Sequence, residues 1–157
     1  MDSFQQFVSI IKALRTPGTG CPWDLEQTHQ TLRPYLVEEA YEVLEAIDGQ
    51  EDLALLEELG DLLLQIVLHA QLADDRGAFS IVEVIQAISD KMVRRHPHVF
   101  GDVQVSSAEE VHRNWDQIKA AEKQERGDDP FAGIPKSLPA LLRAERVAGK
   151  LERLGEE

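Results

Sequence analysis

One segment limits the possible folds more than any other: the apolar run from Glu51 to Arg76, which is followed by Gly77. Leucine, isoleucine and valine recur around most of the circumference of the helix that this run predicts, and Gly77 supplies a C-terminal stop. A helix that is apolar on nearly all sides is stable only when other elements surround it. The run therefore predicts a central helix in an α-helical bundle.

Apolar residues at helical spacing also occur on both sides of this central segment. They predict helices that start near Phe4, near Leu32, after Ser80, after Ser107 and after Ser137. Ser3 with Gln6, Ser80 with Glu83 and Ser107 with Glu110 have the spacing of capping boxes. No segment alternates convincingly as a strand would. We therefore expect an all-α fold, a bundle of about four core helices with additional helices.

Two stretches are rich in residues that interrupt helices. The segment Pro17 to Gln27 holds two glycines and two prolines and predicts an ordered loop, and His98 to Val105 predicts a short irregular link. We expect residues 1–127 to form one helical domain. Residues 128–157 are expected to be a linker and a C-terminal amphipathic helix, whose apolar stripe favours association with a second chain.

The charge balance limits the classes of partner. The chain of 157 residues has 29 Asp and Glu against 16 Lys and Arg, a formal net charge of −13. Such a field repels nucleic acid, so we expect no nucleic-acid partner. The apolar stretch Leu59 to Ala73 is interrupted by polar residues and predicts no membrane span. A single cysteine, Cys21, and no visible secretory signal predict a cytoplasmic location.

The acidic residues are distributed unevenly along the chain. Between Arg33 and Arg76 there are twelve Asp and Glu and no Lys or Arg. Like charges one helical turn apart, as at Glu38 and Glu42, destabilise a helix, and no lysine is placed to offset them. Something other than a neighbouring basic side chain should therefore neutralise these acids.

The residues alone leave two interpretations open. Glu38, Glu42 and Glu45 lie opposite the apolar stripe of their helix, as a solvated acidic face would. Glu58 and Asp61, in contrast, lie one turn apart on the otherwise apolar helix, and Gln65 continues their stripe. Buried unpaired carboxylates cost several kcal/mol each, and a divalent cation such as Mg²⁺ could neutralise them.

These residues resemble a known signature. The run Glu38-Glu39-Ala40-Tyr41-Glu42, with Glu58-Leu59-Gly60-Asp61 after it, is similar to the EExxE and ExxD motifs of the all-alpha nucleoside triphosphate pyrophosphohydrolases. Other segments resemble the MazG branch, in particular the amino-terminal half of two-domain MazG proteins. They are GCPWD at 20–24, QTH at 27–29, LRPY at 32–35, RHPHVFG at 95–101, the stretch that begins with NW at 114–115 and ends at Lys119, and LPAL at 138–141.

The resemblance implies hydrolysis of a nucleoside triphosphate to the monophosphate and pyrophosphate, with Mg²⁺ or in its place Mn²⁺, in a dimer or higher homo-oligomer. The implied role is clearance of unwanted nucleotides or control of a nucleotide pool. By motif position, Glu39, Glu42, Glu58 and Asp61 would be metal ligands. Glu38 would be a further ligand or would orient the attacking water.

The implied reaction also requires residues that bind the substrate. Arg95, Arg113, Lys119 and Lys123 are candidates for binding the negatively charged leaving pyrophosphate. Trp23 is a candidate for stacking on the base, with packing on the core as the alternative. For Trp115, core packing or a dimer contact is the stronger interpretation.

Three alternatives compete with this function. The chain could be a catalytically weak half that dimerises or regulates. It could be a related enzyme that acts on phosphoribosyl-ATP. The third is a di-iron carboxylate bundle, since Glu26 with His29 and Glu109 with His112 form two Glu-x-x-His pairs. The di-iron alternative is disfavoured because Glu26 falls in the segment rich in Gly and Pro.

Overall fold

The computed structural model describes residues 2–126, 131 and 133–155, except for the side chains of 123–126 and 153–154. Within these residues all regular structure is helical and no strand occurs, which confirms the all-α prediction. The eight helices are α1 (Ser3–Leu14), α2 (Pro22–Glu26), α3 (Arg33–Gly49), α4 (Asp52–Asp74), α5 (Ile81–Arg95), α6 (Pro97–Phe100), α7 (Ala108–Arg126) and α8 (Ala140–Gly155).

Two of these helices lie where the sequence predicted irregular structure. α2 occupies the middle of the predicted loop, and α6 occupies part of the predicted link. Each begins with a proline, Pro22 or Pro97, at its first position. Proline lacks the N–H that a first helical turn leaves unbonded, so it starts a short helix as readily as it ends a longer one.

The chain divides into two compact units, Met1–Ser89 and Asp90–Glu157, and each is described by itself. The domain boundary that we predicted between 127 and 128 falls at residues outside the described ranges. It therefore stays a prediction.

The N-terminal cap of α1 is shifted by one residue from the predicted capping box. Asp2, not Ser3, caps α1, and its carboxylate accepts a hydrogen bond from the Gln5 backbone N–H at 2.7 Å. Gln50 adopts the left-handed conformation that ends α3. One hydrogen bond of the capping box predicted at Ser80 and Glu83 is present: the Ser80 backbone N–H donates to the Glu83 carboxylate at 2.7 Å.

In the first unit, α3 and α4 form an antiparallel hairpin because only Gln50 and Glu51 separate them. α1 packs on α4. The buried core consists of residues from α1, the start of α3 and the second half of α4: Ile11, Leu32, Val67, Leu68 and Leu72. This core joins the three elements into one unit.

The prediction that α4 is surrounded on all sides holds for only part of its length. Its buried residues run from Gln65 to Ala73, whereas Leu53 is 84% and Leu56 71% exposed. On α3, the apolar residues Val37, Leu44 and Ile47 are each more than half exposed. No element of this unit covers these residues, so a large apolar surface remains on the hairpin.

Among the described residues, no helix combines the length and the apolar character that crossing a bilayer requires.

Candidate functional site

The α3–α4 hairpin brings three of the predicted metal ligands together. One carboxylate oxygen each from Glu39, Glu58 and Asp61 lies within 4.8 Å of the other two, and all three side chains are half-buried. Glu58 and Asp61 share a face of α4 because they are three residues apart. The short connection between the helices then places Glu39 of α3 opposite them.

Glu42 is the fourth member of this carboxylate cluster. It lies one turn from Glu39 on α3, and its charge raises the pKa of both Glu39 and Glu58. Unlike the other three side chains, Glu42 is exposed. The four residues assigned to the metal by motif position are therefore adjacent in the structure.

Glu38 is placed differently. Its side chain is exposed and lines a shallow surface cavity of about 600 Å³ together with Gln30, Arg33, Pro34 and Val37. It contributes nothing to the pKa shifts of Glu39 or Glu58. The structure thus separates Glu38 from the other four acids.

The carboxylates in the cluster repel one another. Burial raises the pKa of Glu39, and the charges of Asp61 and Glu42 raise it further. Burial also raises the pKa of Glu58, followed by the charges of Glu42 and Asp61. Both shifts mean that the ionised cluster costs free energy unless a cation offsets its charge.

No basic side chain supplies that cation within the described part of the protein. The ion pairs there involve Asp75, Glu122 and Asp116, and none reaches the carboxylate cluster. The donor set is made of hard carboxylate oxygens from two rigid helices. Mg²⁺ and Mn²⁺ prefer such oxygens, so the chemistry of the residues present fits a divalent ion.

Gln65 continues the same stripe of α4, as the sequence predicted. It is 5% exposed, and its side-chain oxygen Oε1 has no hydrogen-bond partner among the described residues. An unpaired buried amide oxygen is costly, so this position favours an ordered water or another polar group beside the cluster.

Trp23 is half exposed, at 48%, which argues against the alternative that it plugs the core. It lies in α2 and makes an edge-to-face contact with Tyr35 of α3, with ring centres 6.0 Å apart. Tyr35 is 40% exposed, so both rings present apolar surface to solvent. An exposed aromatic pair of this kind can stack on a planar group.

In the second unit, Arg95 is held by a carboxylate that the sequence analysis did not single out. Its Nη2 donates to Oε2 of Glu122 at 2.6 Å, and Arg94 Nε donates to Oε1 of the same residue at 2.7 Å. These bonds lower the pKa of Glu122 to about 2. The i,i+4 spacing that reveals helical ion pairs is absent here, since the partners are 27 and 28 residues apart.

Lys119 and Trp115 lie together on α7. The Lys119 ammonium is 4.2 Å from the centre of the Trp115 ring, and the ring also contacts His96 at 5.8 Å between centres. The indole Nε1 of Trp115, the Nε of Arg95 and the Nδ1 of His98 are buried without partners among the described residues. The Trp115 Nε1 and the Arg95 Nε carry a hydrogen in every protonation state, so the second unit holds unpaired donors near its basic residues.

The two remaining cationic candidates are less constrained. Arg113 is exposed on α7. Hydrogen bonds from Ser106 lower the pKa of Glu110, and the charge of Arg113 lowers this pKa further to a smaller extent. The Lys123 side chain lies outside the described residues.

The structure does not assemble the di-iron alternative. Glu26 is exposed at the end of α2, and His112 is exposed on α7. His29 pairs with His69, a contact that the sequence analysis missed because the two residues are 40 positions apart. Within the described residues, the one group of three or more His, Cys, Asp or Glu side chains close enough together to hold a metal is that of Glu39, Glu58 and Asp61.

The fold and the site define an all-α protein with a carboxylate cluster between paired helices. Residues 27–100 match the family described as the MazG nucleotide pyrophosphohydrolase domain. A solved structure, the mazG-related protein from Thermotoga maritima, has a TM-score of 0.61 and 30% identity, and the alignment covers 74% of this chain and 98% of that one. The chain belongs to the MazG family.

Two curated relatives are longer than this chain. The nucleoside triphosphate pyrophosphohydrolase/pyrophosphatase MazG of Thermotoga maritima is 47% identical over 152 residues, which is 97% of this chain and 58% of that protein. The uncharacterized protein YabN of Bacillus subtilis is 53% identical over 144 residues, which is 92% of this chain and 29% of that protein. The chain thus spans well under two thirds of either relative.

Proposed function

We propose that this protein hydrolyses nucleoside triphosphates to the monophosphate and pyrophosphate with the help of Mg²⁺. The observation that carries the proposal is the carboxylate cluster, in which oxygens of Glu39, Glu58 and Asp61 lie within 4.8 Å of one another. The name of the Thermotoga maritima relative, a nucleoside triphosphate pyrophosphohydrolase/pyrophosphatase, supports the same reaction. A triphosphate would be repelled by such a cluster without metal, so substrate binding and metal binding are linked.

In this proposal, Glu39, Glu42, Glu58 and Asp61 hold the metal. When bound, Mg²⁺ supplies charge neutralisation of the phosphates and acidifies a coordinated water. Glu38 is exposed and outside the cluster, which favours its alternative role of orienting the attacking water over that of a ligand.

Cleavage between the alpha and beta phosphates develops negative charge on the pyrophosphate that leaves. Arg95, Arg113, Lys119 and Lys123 remain our candidates for binding that charge. The unpaired buried N–H groups of Arg95 and Trp115 support an anion-binding role for the second unit. We assign base stacking to Trp23 on the strength of its exposure.

We also propose that the protein works as a homodimer or higher oligomer. The α3–α4 hairpin exposes apolar residues, among them Tyr41, Leu44, Leu56 and Leu59, and an exposed apolar surface of this kind is typical of an association interface. Light scattering after gel filtration is expected to give at least twice the mass of 17.6 kDa. Leu56→Glu should shift this mass to that of the monomer, and Val82→Glu on α5 is a matched control.

The deciding experiment is a panel of ribo- and deoxyribonucleoside triphosphates and phosphoribosyl-ATP, incubated with and without Mg²⁺ and assayed for pyrophosphate and for single phosphate. We expect pyrophosphate with Mg²⁺ only, and none from Asp61→Asn. Release of single phosphate would contradict the proposed reaction. Metal binding without any turnover would instead identify a regulatory half.

A further inference from the structure

His29 and His69 form a pair that the proposed reaction does not use. His29 lies in the turn between α2 and α3, and His69 lies in the buried half of α4. Their Nδ1 atoms are 2.8 Å apart, their ring centres are 5.1 Å apart, and their planes differ by 2°. Neither residue belongs to the carboxylate cluster of Glu39, Glu58 and Asp61.

These three values specify an edge-to-edge arrangement. The distance between the ring centres equals the Nδ1-to-Nδ1 distance plus roughly one ring radius at each end, which is possible only when both rings lie along one line in nearly one plane. Face-to-face stacking with the same nitrogen distance would bring the centres much closer. The contact is therefore an N–H···N hydrogen bond, which one Nδ1 donates and the other accepts.

Such a bond limits the protons that the pair can hold. It requires one Nδ1 with a hydrogen and one without, so at most one of the two rings can be an imidazolium. If both rings were protonated, two N–H groups would face each other at 2.8 Å and two positive charges would occupy a half-buried site. Full protonation must therefore break the contact.

The surroundings of the pair do not favour a second positive charge. The Nε2 atoms of both rings are buried without partners among the described residues. The pKa of His69 is lowered first by burial and then by the charge on His29, with no contribution from another titratable group. The buried Arg15 of α1 is engaged by other partners: it is bonded to Asp75 at the end of α4 and to the Asp24 carbonyl of α2.

The contact also connects separate parts of the first unit. His29 belongs to the turn of residues 27–32, in which Thr31 donates its hydroxyl to Gln27 at 2.8 Å and Gln27 donates to the Trp23 carbonyl at 2.9 Å. The turn ends at Leu32, which is fully buried and caps α3. The bond to His69 fastens this turn to α4 beside the core.

We propose that His29 and His69 act as a proton-sensitive clasp, which holds the turn of residues 27–32 on α4 at neutral pH and releases it in mild acid, when both rings become protonated. Release frees the turn that joins α2, with Trp23, to α3. The clasp is a property of the fold and does not depend on the proposed reaction.

The direction of the pH effect follows from linkage. A histidine whose pKa is lower in the folded protein than its ordinary value of 6.5 stabilises the fold above that pH, and this contribution is lost as the pH falls toward the folded-state pKa. Over that range the unfolding equilibrium constant should rise by up to tenfold per pH unit for the proton on His69.

Nitrogen-15 NMR of the full chain in EDTA tests the clasp directly. At pH 7.5 we expect a coupling across the hydrogen bond between the Nδ1 nuclei of His29 and His69, and its loss in mild acid with both rings protonated. Urea unfolding from pH 7.5 to 5 should show a steeper acid destabilisation in the wild type than in His29→Phe or His69→Phe. His112→Gln, which changes an exposed histidine on α7, should retain the wild-type slope.

Two outcomes would overturn the proposal: absence of the coupling at pH 7.5, or a pH slope that is unchanged in folded His29→Phe or His69→Phe. If Zn²⁺ alone stabilises the wild type but not these variants, and the coupling is absent, the two histidines form a metal site instead. If both variants fail to fold, the wild-type coupling and its pH dependence decide the question.

Discussion

Arg15 Nε donates to Asp75 Oδ2 at 2.8 Å and so joins the C-terminal cap of α1 to that of α4. The guanidinium also donates through Nη1 to the Asp24 backbone carbonyl of α2. Gln71 completes the arrangement by donating to the other oxygen of Asp75 at 2.8 Å. One buried arginine thus links three helices next to the core of the first unit.

Replacing this arginine is expected to destabilise the first unit. Arg15→Met should lower the free energy of unfolding by about 2–3 kcal/mol, because it removes the charged donor of Asp75 Oδ2 and of the Asp24 carbonyl. Arg76→Met, next in sequence to Asp75 and exposed, should change it by less than about 0.5 kcal/mol. Urea unfolding followed by circular dichroism measures both, and equal effects would show that the arginine does not connect the helices.

Neutralising one acid of the carboxylate cluster should separate activity from stability. Glu42→Gln and Asp61→Asn are expected to abolish turnover and, without metal, to raise the free energy of unfolding by a few tenths of a kcal/mol, since each relieves like-charge repulsion. Glu45→Gln makes the same charge change on the exposed side of α3 and should leave turnover intact. Loss of helical circular dichroism in the two cluster variants would indicate a structural role.

The raised pKa values of Glu39 and Glu58 predict competition between protons and Mg²⁺. In metal-free protein, these groups contribute stability below the ordinary pKa of 4.5, and this contribution is lost as pH rises through their folded-state pKa values. Mg²⁺ must displace the protons, so its affinity should fall as the pH is lowered. Calorimetry in buffers of different ionisation enthalpy measures proton release, which Glu39→Gln should reduce.

Glu122 is expected to stabilise the second unit in the opposite pH range. Its pKa of about 2 means that its contribution is present above 4.5 and is lost as pH falls toward 2. Glu122→Gln should cost about 1–2 kcal/mol at pH 7, because the bonds from Arg94 and Arg95 lose their charged acceptor. Asp116→Asn, whose contact with Lys119 is 3.6 Å and exposed, serves as the control. No difference between the two variants in urea unfolding would contradict this prediction.

The sequence alone was sufficient for the local features of this protein. Periodicity predicted all six longer helices, and the spacing of Glu39 and Glu42 and of Glu58 and Asp61 placed each pair on one helical face. These features depend on residues three or four positions apart, for which the geometry of a helix is known in advance. The same spacing could not exclude Glu38, which only the orientation of α3 directs away from the cluster.

Tertiary structure alone decided which distant groups meet. The pairs His29 with His69, Arg15 with Asp75 and Arg95 with Glu122 are separated by 27 to 60 residues. Helix packing brings them together, and no local pattern encodes that packing. It also decided that half of α4 stays exposed in the single chain, because burial depends on what lies across from a helix as well as on its own composition.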